Sequence, residues 1–172
     1  MNESTQEQTF LTMIKAPCVS TSKKYGILPS VMAAIGIDIS KFGTTNEFCI
    51  TRNVYMLPTD KDWYGKVYSK DTGVIYDKAS DCSDGSILYR VYTDHQDSVK
   101  DFVEYIAMSR RSKDGPFRYA SLFRCKEYIE SVSRLLRAGF MESYLHDIGD
   151  IPYHSKIVKI IQDYALYTWD NE

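Results

Sequence analysis

Apolar residues near the start of the chain are spaced as they are in α-helices. Their spacing of roughly three to four positions predicts a helix over residues 9–25, which Pro17 should kink or divide and Gly26 should end. A second helix is predicted to begin at Pro29 and to continue to about Ser40. This second segment is apolar nearly all round, which is typical of a helix buried on every side. We therefore expect it to lie at the centre of the fold.

The pattern changes between residues 44 and 92 and then becomes helical again. Short runs at residues 66–68, 74–76 and 87–92 predict three strands separated by turns. After residue 94, apolar residues at helical spacing form three stripes. These stripes comprise Val99, Phe102, Val103 and Ile106; Tyr128, Val132, Leu135 and Leu136; and Ile157, Ile160, Ile161 and Tyr164. The predicted fold class is α+β, with a mostly helical body and a small antiparallel β-lobe.

Length and composition indicate one globular domain and exclude several classes of protein. The 172 residues are 44% hydrophobic, so we expect a single domain over residues 9–172 after a polar tail at residues 1–8. The 21 basic and 23 acidic residues, with a net charge of −2, argue against a nucleic-acid binder. No apolar run approaches the ~18 residues of a membrane span. The beginning of the chain lacks the basic and apolar regions of a secretory signal, so we expect synthesis in the cytoplasm.

The chain has four cysteines and three histidines, and neither set has the spacing of a metal site. The cysteines are Cys18, Cys49, Cys82 and Cys125. None of them forms a C-x-x-C pair, and we expect reduced, mostly buried thiols. His146 lies close to Asp147 and Asp150, but no ligand spacing supports a site there. We expect neither a metal nor a cofactor.

Several short motifs follow one another over most of the chain. They include K-Y-G-I-L-P-S-V-M at residues 24–32, W-Y-G-K at 63–66, R-Y-A at 118–120 and I-I-Q-D-Y-A-L-Y-T-W-D at 160–170. In this order and spacing they resemble the glucosaminidase domains of glycoside hydrolase family 73. The resemblance extends from about residue 10 to residue 170, and it implies a lysozyme-like fold and the cleavage of peptidoglycan.

The position of the general acid departs from this resemblance. The family's acid is the glutamate of an E-S-x-W-G motif, which falls on Ile39 when counted from Ser30 or from Gly43. Glycoside cleavage needs a carboxylic acid to protonate the leaving oxygen, and isoleucine has none. We therefore expect no catalytic residue at the usual place.

Four acidic residues remain as fallback candidates for the acid. They are Asp38, Glu47, Asp71 and Asp77. Asp38 would point about 100° away from Ile39 on a helix, and it is equally a candidate for a solvent-facing or helix-end carboxylate. Glu47 would have to lie over the cleft from the following loop. Asp71 and Asp77 are more simply interpreted as turn residues.

Two further features of the family are altered. The resemblance implies a second carboxylate in a T-x-E element of the β-lobe, but residues 70–77 contain no glutamate. The family's A-G-Y-A-T-D-P element becomes Ala138-Gly139-Phe140, and a longer segment at residues 141–152 follows. Phe140 lacks the hydroxyl of the family's tyrosine.

Seven residues fall where the resemblance implies a substrate groove. They are Phe42, Asn53, Tyr55, Tyr89, Tyr92, Phe140 and Tyr153. Aromatic faces can stack on sugar rings, but the same side chains can also pack a β-lobe against helices. Packing is the favoured interpretation for Phe42, and both interpretations stay open for the tyrosines.

The sequence favours a catalytically degenerate glucosaminidase fold, because the core motifs are intact and the site motifs are not. Such a protein would bind peptidoglycan glycan strands or a structural protein partner, in a virion or at the cell wall. One alternative is an active hydrolase that uses a different acid such as Asp38. Another is a protein-interaction subunit whose cleft is filled by Ile39 and Phe42. The oligomeric state stays open.

Overall fold

The fold consists of a helical body and a small antiparallel sheet. The computed structural model describes residues 5–60, 62–83, 85–110, 115–140 and 152–172. The helices are α1 (Thr5–Tyr25), α2 (Pro29–Ser40), α3 (Asn46–Thr51), α4 (His95–Met108), α5 (Tyr128–Arg137) and α6 (Tyr153–Asp163). The strands are β1 (Val67–Ser69), β2 (Val74–Tyr76) and β3 (Leu88–Arg90). The predicted α+β class with a β-lobe is confirmed.

Helix α1 is longer than the sequence pattern predicted. It begins at Thr5 rather than at residue 9, so residues 5–8 belong to the helix and not to a polar tail. Their polar side chains carry no apolar periodicity, but Glu7 lies in the first turn, where the helix dipole favours a carboxylate. Pro17 lies inside α1 and does not divide it. The helix ends as predicted at Gly26, whose positive φ of 66° suits glycine.

Helix α2 lies at the centre of the molecule, as its apolar sequence predicted. Eleven of its twelve residues are buried, and it packs against α1, α5 and α6. Pro29 occupies its first turn. The carboxylate of Asp170 accepts hydrogen bonds from the Ser30 backbone N–H and Oγ at 2.9 and 2.7 Å. These bonds connect the end of the described chain to the beginning of the central helix.

The β-lobe is a three-stranded antiparallel sheet with β1 at its centre. The strand order is β2-β1-β3, and Val67 pairs with Tyr76 on one side and with Arg90 on the other. All three residues of β1 are buried, whereas β2 is an exposed edge strand. The three predicted strands are confirmed within a few residues of their expected limits.

Arg90 connects the β-lobe to the helical body. Its guanidinium is buried and bonds Asp60 at 2.5 Å and Asp101 of α4 at 2.7 Å. It also lies 5.0 Å from the ring centre of Trp63. The positive charge of the Arg90 guanidinium is thus paired with carboxylates, as the burial of a charged group requires. The position of the lobe relative to α4 is therefore fixed by this ion pair.

The remaining helices contribute the predicted apolar stripes to one hydrophobic core. Helix α3 was not predicted, because six residues are too few to show a helical period. Thr45 caps it by accepting a hydrogen bond from the Phe48 N–H. No helix in the described part of the chain is long and apolar enough to cross a membrane.

The expectation of mostly buried thiols is half correct. Of the four cysteines, Cys18 and Cys125 are buried. Cys49 is exposed on α3 and Cys82 is partly exposed. Burial raises the pKa of the Cys18 thiol to about 12.

Candidate functional site

A large cleft lies between the C-terminal end of α2, the β-lobe and helix α4. Its volume is about 1160 Å³. The residues that line it are Asp38, Ile39, Lys41, Thr45, Glu47, Tyr55, Met56, Leu57, Pro58, Lys70, Ile87, Tyr89, Phe102, Tyr105, Arg118, Tyr119, Gly139, Phe140 and Lys156. The filled cleft that one hypothesis required is therefore wrong for the described residues. Both Ile39 and Asp38 reach this cleft, although they are neighbours on one helix.

Asp38 is held by two lysines. Its carboxylate is only 7% exposed, so the solvent-facing position considered for it is wrong. One oxygen, Oδ1, lies 2.8 Å from the Lys41 ammonium and 2.5 Å from the Lys156 ammonium. Lys41 and Phe42 both adopt positive φ angles, of 49° and 55°, and this unusual turn follows directly after α2. Asp38 thus lies beside Ile39 and accepts contacts from two charged donors.

Glu47 lines the same cleft from α3 rather than from a loop. Its carboxylate lies 2.9 Å from the ammonium of Lys70, which follows β1. Lys70 holds the pKa of Glu47 below its usual range. A general acid needs a raised pKa, so this environment is the opposite of the one that proton donation requires.

Aromatic side chains form much of the cleft wall. Tyr55 stacks on Phe102 with ring centres 3.8 Å apart, and its hydroxyl donates to the Met32 carbonyl. Phe140 packs edge-on against Phe102. The expected groove residues Tyr55, Tyr89 and Phe140 all line the cleft. Phe102, Tyr105 and Tyr119 also line it and were not predicted, because their spacing on or near α4 is that of ordinary core residues.

Three of the predicted groove residues do not line the cleft and have structural contacts instead. Phe42 packs against Phe10 and Tyr164, with ring centres 6.0 and 5.0 Å apart. Asn53 is completely buried among backbone groups. The hydroxyl of Tyr92 donates to Asp101. Asn53 and Tyr92 are corrections to the predicted site, whereas the packing of Phe42 is the interpretation that the sequence favoured.

Tyr153, the remaining predicted groove residue, is buried behind the cleft wall. It is 2% exposed, and its hydroxyl has no hydrogen-bond partner among the described residues. Burial and the nearby Asp38 carboxylate raise its pKa. Tyr153 is therefore a neutral phenol beside the charged cluster.

The β-lobe aspartates do not line the cleft. Asp71 lies exposed in the turn between β1 and β2, and Asp77 is exposed and pairs with Lys66 at 3.3 Å. Both are turn residues, and neither lines the cleft, so they are poor candidates for the acid. No group of three His, Cys, Asp or Glu side chains in the described ranges could hold a metal. His146, Asp147 and Asp150 lie outside those ranges.

Comparison with known proteins identifies the family. A family model named Glucosaminidase, described as mannosyl-glycoprotein endo-beta-N-acetylglucosaminidase, matches residues 15–166. The chain belongs to the glucosaminidase family. The resemblance to glycoside hydrolase family 73 is thereby confirmed. The assignment of Ile39 to the acid position rests on motif spacing and stays a prediction.

Solved structures with the same fold include several glycoside hydrolases. The catalytic domain of the autolysin Auto from Listeria monocytogenes is 22% identical, with a TM-score of 0.68 over 99% of this chain and 90% of that one. The glycoside hydrolase domain of FlgJ from Salmonella typhimurium is 19% identical, with a TM-score of 0.67 over 94% of this chain and 90% of that one. A peptidoglycan hydrolase from Sphingomonas sp. A1 is 15% identical, with a TM-score of 0.64 over 94% and 92%. A search of curated protein sequences gave no match.

Proposed function

We propose that this member of the glucosaminidase family binds peptidoglycan glycan strands in its cleft without cleaving them. The observation that carries the proposal is an open cleft with aromatic walls. It is supported by the motif spacing, which predicts that Ile39 stands at the acid position. Stacking and apolar contacts suit the faces of sugar rings. Binding needs only such a surface, whereas hydrolysis also needs a proton donor beside the glycosidic oxygen.

The carboxylates that line the cleft are poorly suited to replace the missing acid. Asp38 already accepts contacts from two ammonium groups on one oxygen. Glu47 has a lowered pKa because of Lys70. The environment of Glu47 therefore favours the carboxylate over the protonated form that donates to a leaving group.

An active hydrolase that uses Asp38 is the second candidate. Its supporting observation is that Asp38 is nearly buried and lines the cleft next to Ile39. This candidate requires the ion pairs with Lys41 and Lys156 to break when substrate binds. It predicts turnover by the wild-type protein that Asp38→Asn abolishes.

The first prediction concerns peptidoglycan binding and turnover. We expect the wild-type protein to sediment with purified peptidoglycan and to release no reducing sugar from it. Ile39→Glu restores a carboxyl at the acid position, and we expect this variant to release reducing sugar. Ile39→Gln introduces a side chain of similar size without an acid, and we expect it to release none.

Each outcome of this experiment separates the candidates. Release by the wild-type protein that is lost in Asp38→Asn would overturn the binding proposal in favour of the hydrolase. Failure of the wild-type protein to sediment with peptidoglycan would overturn glycan binding altogether. In that case a structural protein partner becomes the better candidate for the cleft.

The site of action follows from the proposed ligand. A protein that holds peptidoglycan strands would function at the cell wall or in a virion that contacts it. The membership of the glucosaminidase family and the fold shared with the autolysin Auto support this location.

A further inference from the structure

The cleft is positively charged although the chain as a whole is not. Four cationic side chains line it, from Lys41, Lys70, Arg118 and Lys156, against the two carboxylates of Asp38 and Glu47. The complete chain has a net charge of −2. A concave surface with an excess of one sign concentrates ligands of the opposite sign. The cleft is therefore better suited to an acidic ligand than to a neutral one.

The excess positive charge is concentrated beside Ile39. Lys70 is neutralised by Glu47 at 2.9 Å, and Arg118 donates to the carbonyl oxygens of Ala138 and Gly139 at 2.7 and 3.0 Å. Lys41 and Lys156, in contrast, share the single carboxylate of Asp38. Counted over the described residues, one net positive charge therefore remains at this pair.

In the part of the chain that the structure describes, the two lysines also retain N–H donors that make no hydrogen bond. An ammonium group has three N–H donors. Both ammonium groups contact the same Asp38 oxygen, and their side chains are 59% and 33% exposed. Donors are thus left over that can reach a second carboxylate in the cleft. Because Lys156 is the less exposed of the two, a contact with it is less screened by water.

The placement of both lysines works against local stability. Lys156 is near the beginning of α6, where the helix dipole disfavours a cation. Lys41 has a left-handed backbone conformation, which is unfavourable for a residue other than glycine. Unfavourable local positions that converge on one point of a cleft are typical of a binding site.

We propose that Lys41 and Lys156 form a carboxylate-binding subsite beside Ile39, which makes the cleft selective for acidic glycans over neutral ones. This inference rests on the proposed glycan binding and specifies its ligand. The carboxylate can belong to a lactyl ether on the sugar or to a peptide attached to it. Both sources present the same group to the lysines.

The experiment compares glycans that differ only in charge. Calorimetry would measure the dissociation constants of a neutral N-acetylglucosamine oligomer and of an equally long oligomer with alternate lactyl ethers. A third ligand would carry the attached peptide as well, so that the two sources of carboxylate are distinguished. The wild-type protein should bind the lactyl oligomer about tenfold more tightly than the neutral one.

Three variants test whether the lysines cause this preference. Lys156→Gln and Lys41→Gln should each remove most of the tenfold preference, measured as the ratio of the dissociation constants for the neutral and the lactyl oligomer. Lys159→Gln is the matched control, because Lys159 lies on the same helix and pairs with the exposed Asp163 outside the cleft. A thermal melt of each variant verifies that it is folded.

The outcomes distinguish this inference from the proposed function. Equal binding of the neutral and lactyl oligomers by the wild-type protein would overturn the subsite and leave glycan binding in place. A preference that appears only with the attached peptide assigns the carboxylate to the peptide. A preference that survives in both Lys156→Gln and Lys41→Gln would also overturn the subsite. Failure of all three ligands to bind would overturn both proposals.

Discussion

Asn53 holds the backbone that carries several cleft residues. Its side-chain amide donates to the carbonyl oxygens of Leu57 and Arg90 at 3.0 Å each, and its Oδ1 accepts from the Leu57 N–H at 2.9 Å. The residue is completely buried, so water cannot replace these bonds. One side chain thus connects the segment before the β-lobe to strand β3.

The second prediction is that Asn53→Ala is strongly destabilising. The change leaves buried backbone groups without partners, and each such group costs about 1–3 kcal/mol. We expect the free energy of unfolding to fall by about 3 kcal/mol, measured by urea denaturation followed by circular dichroism. Asn171→Ala serves as the control, because Asn171 is exposed. Equal effects of the two substitutions would contradict the role assigned to Asn53.

At the scale of elements, Gly36 allows α2 to pack closely against the segment that follows α3. A Cβ atom at Gly36 would lie 2.8 Å from Val54 Cγ1 and 3.4 Å from Tyr55 Cε1. Val54 is completely buried, and Tyr55 is stacked on Phe102. Neither side chain has free space to move into.

The third prediction follows from this close contact. Ala is favoured over Gly in a helix by about 1 kcal/mol, whereas overpacking of a filled core costs about 1–3 kcal/mol. We expect the second effect to be larger, so that Gly36→Ala lowers the free energy of unfolding by about 1 kcal/mol. Chemical denaturation measures this change. A gain of about 1 kcal/mol, as helix propensity alone predicts, would show that the contact is not tight.

The helices that were predicted correctly are those whose apolar pattern extends over many consecutive residues. The all-apolar segment of α2 and the stripe of Val99, Phe102 and Ile106 on α4 required no knowledge of distant residues. The limits of α1 and the existence of α3 were missed, since polar helical turns and six-residue helices have no apolar period. Pro17 predicted a kink or break in α1, but the helix continues through it. The packing of the surrounding helix therefore outweighs the tendency of proline to break a helix.

At the scale of the whole molecule, the site was only partly predictable. Motif spacing located Ile39 at the cleft, since it lies at a fixed distance from Ser30 along one helix. Lys156 was not predictable, because α6 approaches Asp38 only when the chain is folded. For Phe42, packing was the interpretation favoured from the sequence, and the folded structure places its ring against Phe10 instead of in the cleft.

The Glu47–Lys70 ion pair is the contact that bridges the cleft between the helical body and the β-lobe. Glu47 belongs to α3, and Lys70 follows β1. Lys70 lowers the pKa of Glu47 in the folded protein. The pair therefore stabilises the folded state above the unfolded pKa of about 4.3. This contribution is lost as the pH falls through the lower, folded pKa.

The final prediction is a pH-dependent difference between Glu47→Gln and the wild-type protein. At about pH 7 the variant should be less stable by about 0.5 kcal/mol, the magnitude of a partly exposed ion pair. The difference should shrink as the pH falls below about 4.3, and it should disappear once the pH lies below the lowered pKa of Glu47 in the folded protein, because Glu47 is then protonated in both states. Urea denaturation over a series of acidic pH values measures it. Asp77→Asn is the control, since Asp77 is 85% exposed in its pair with Lys66 within the lobe. A difference that persists at acidic pH would mean that Glu47 stabilises the cleft through packing rather than through charge.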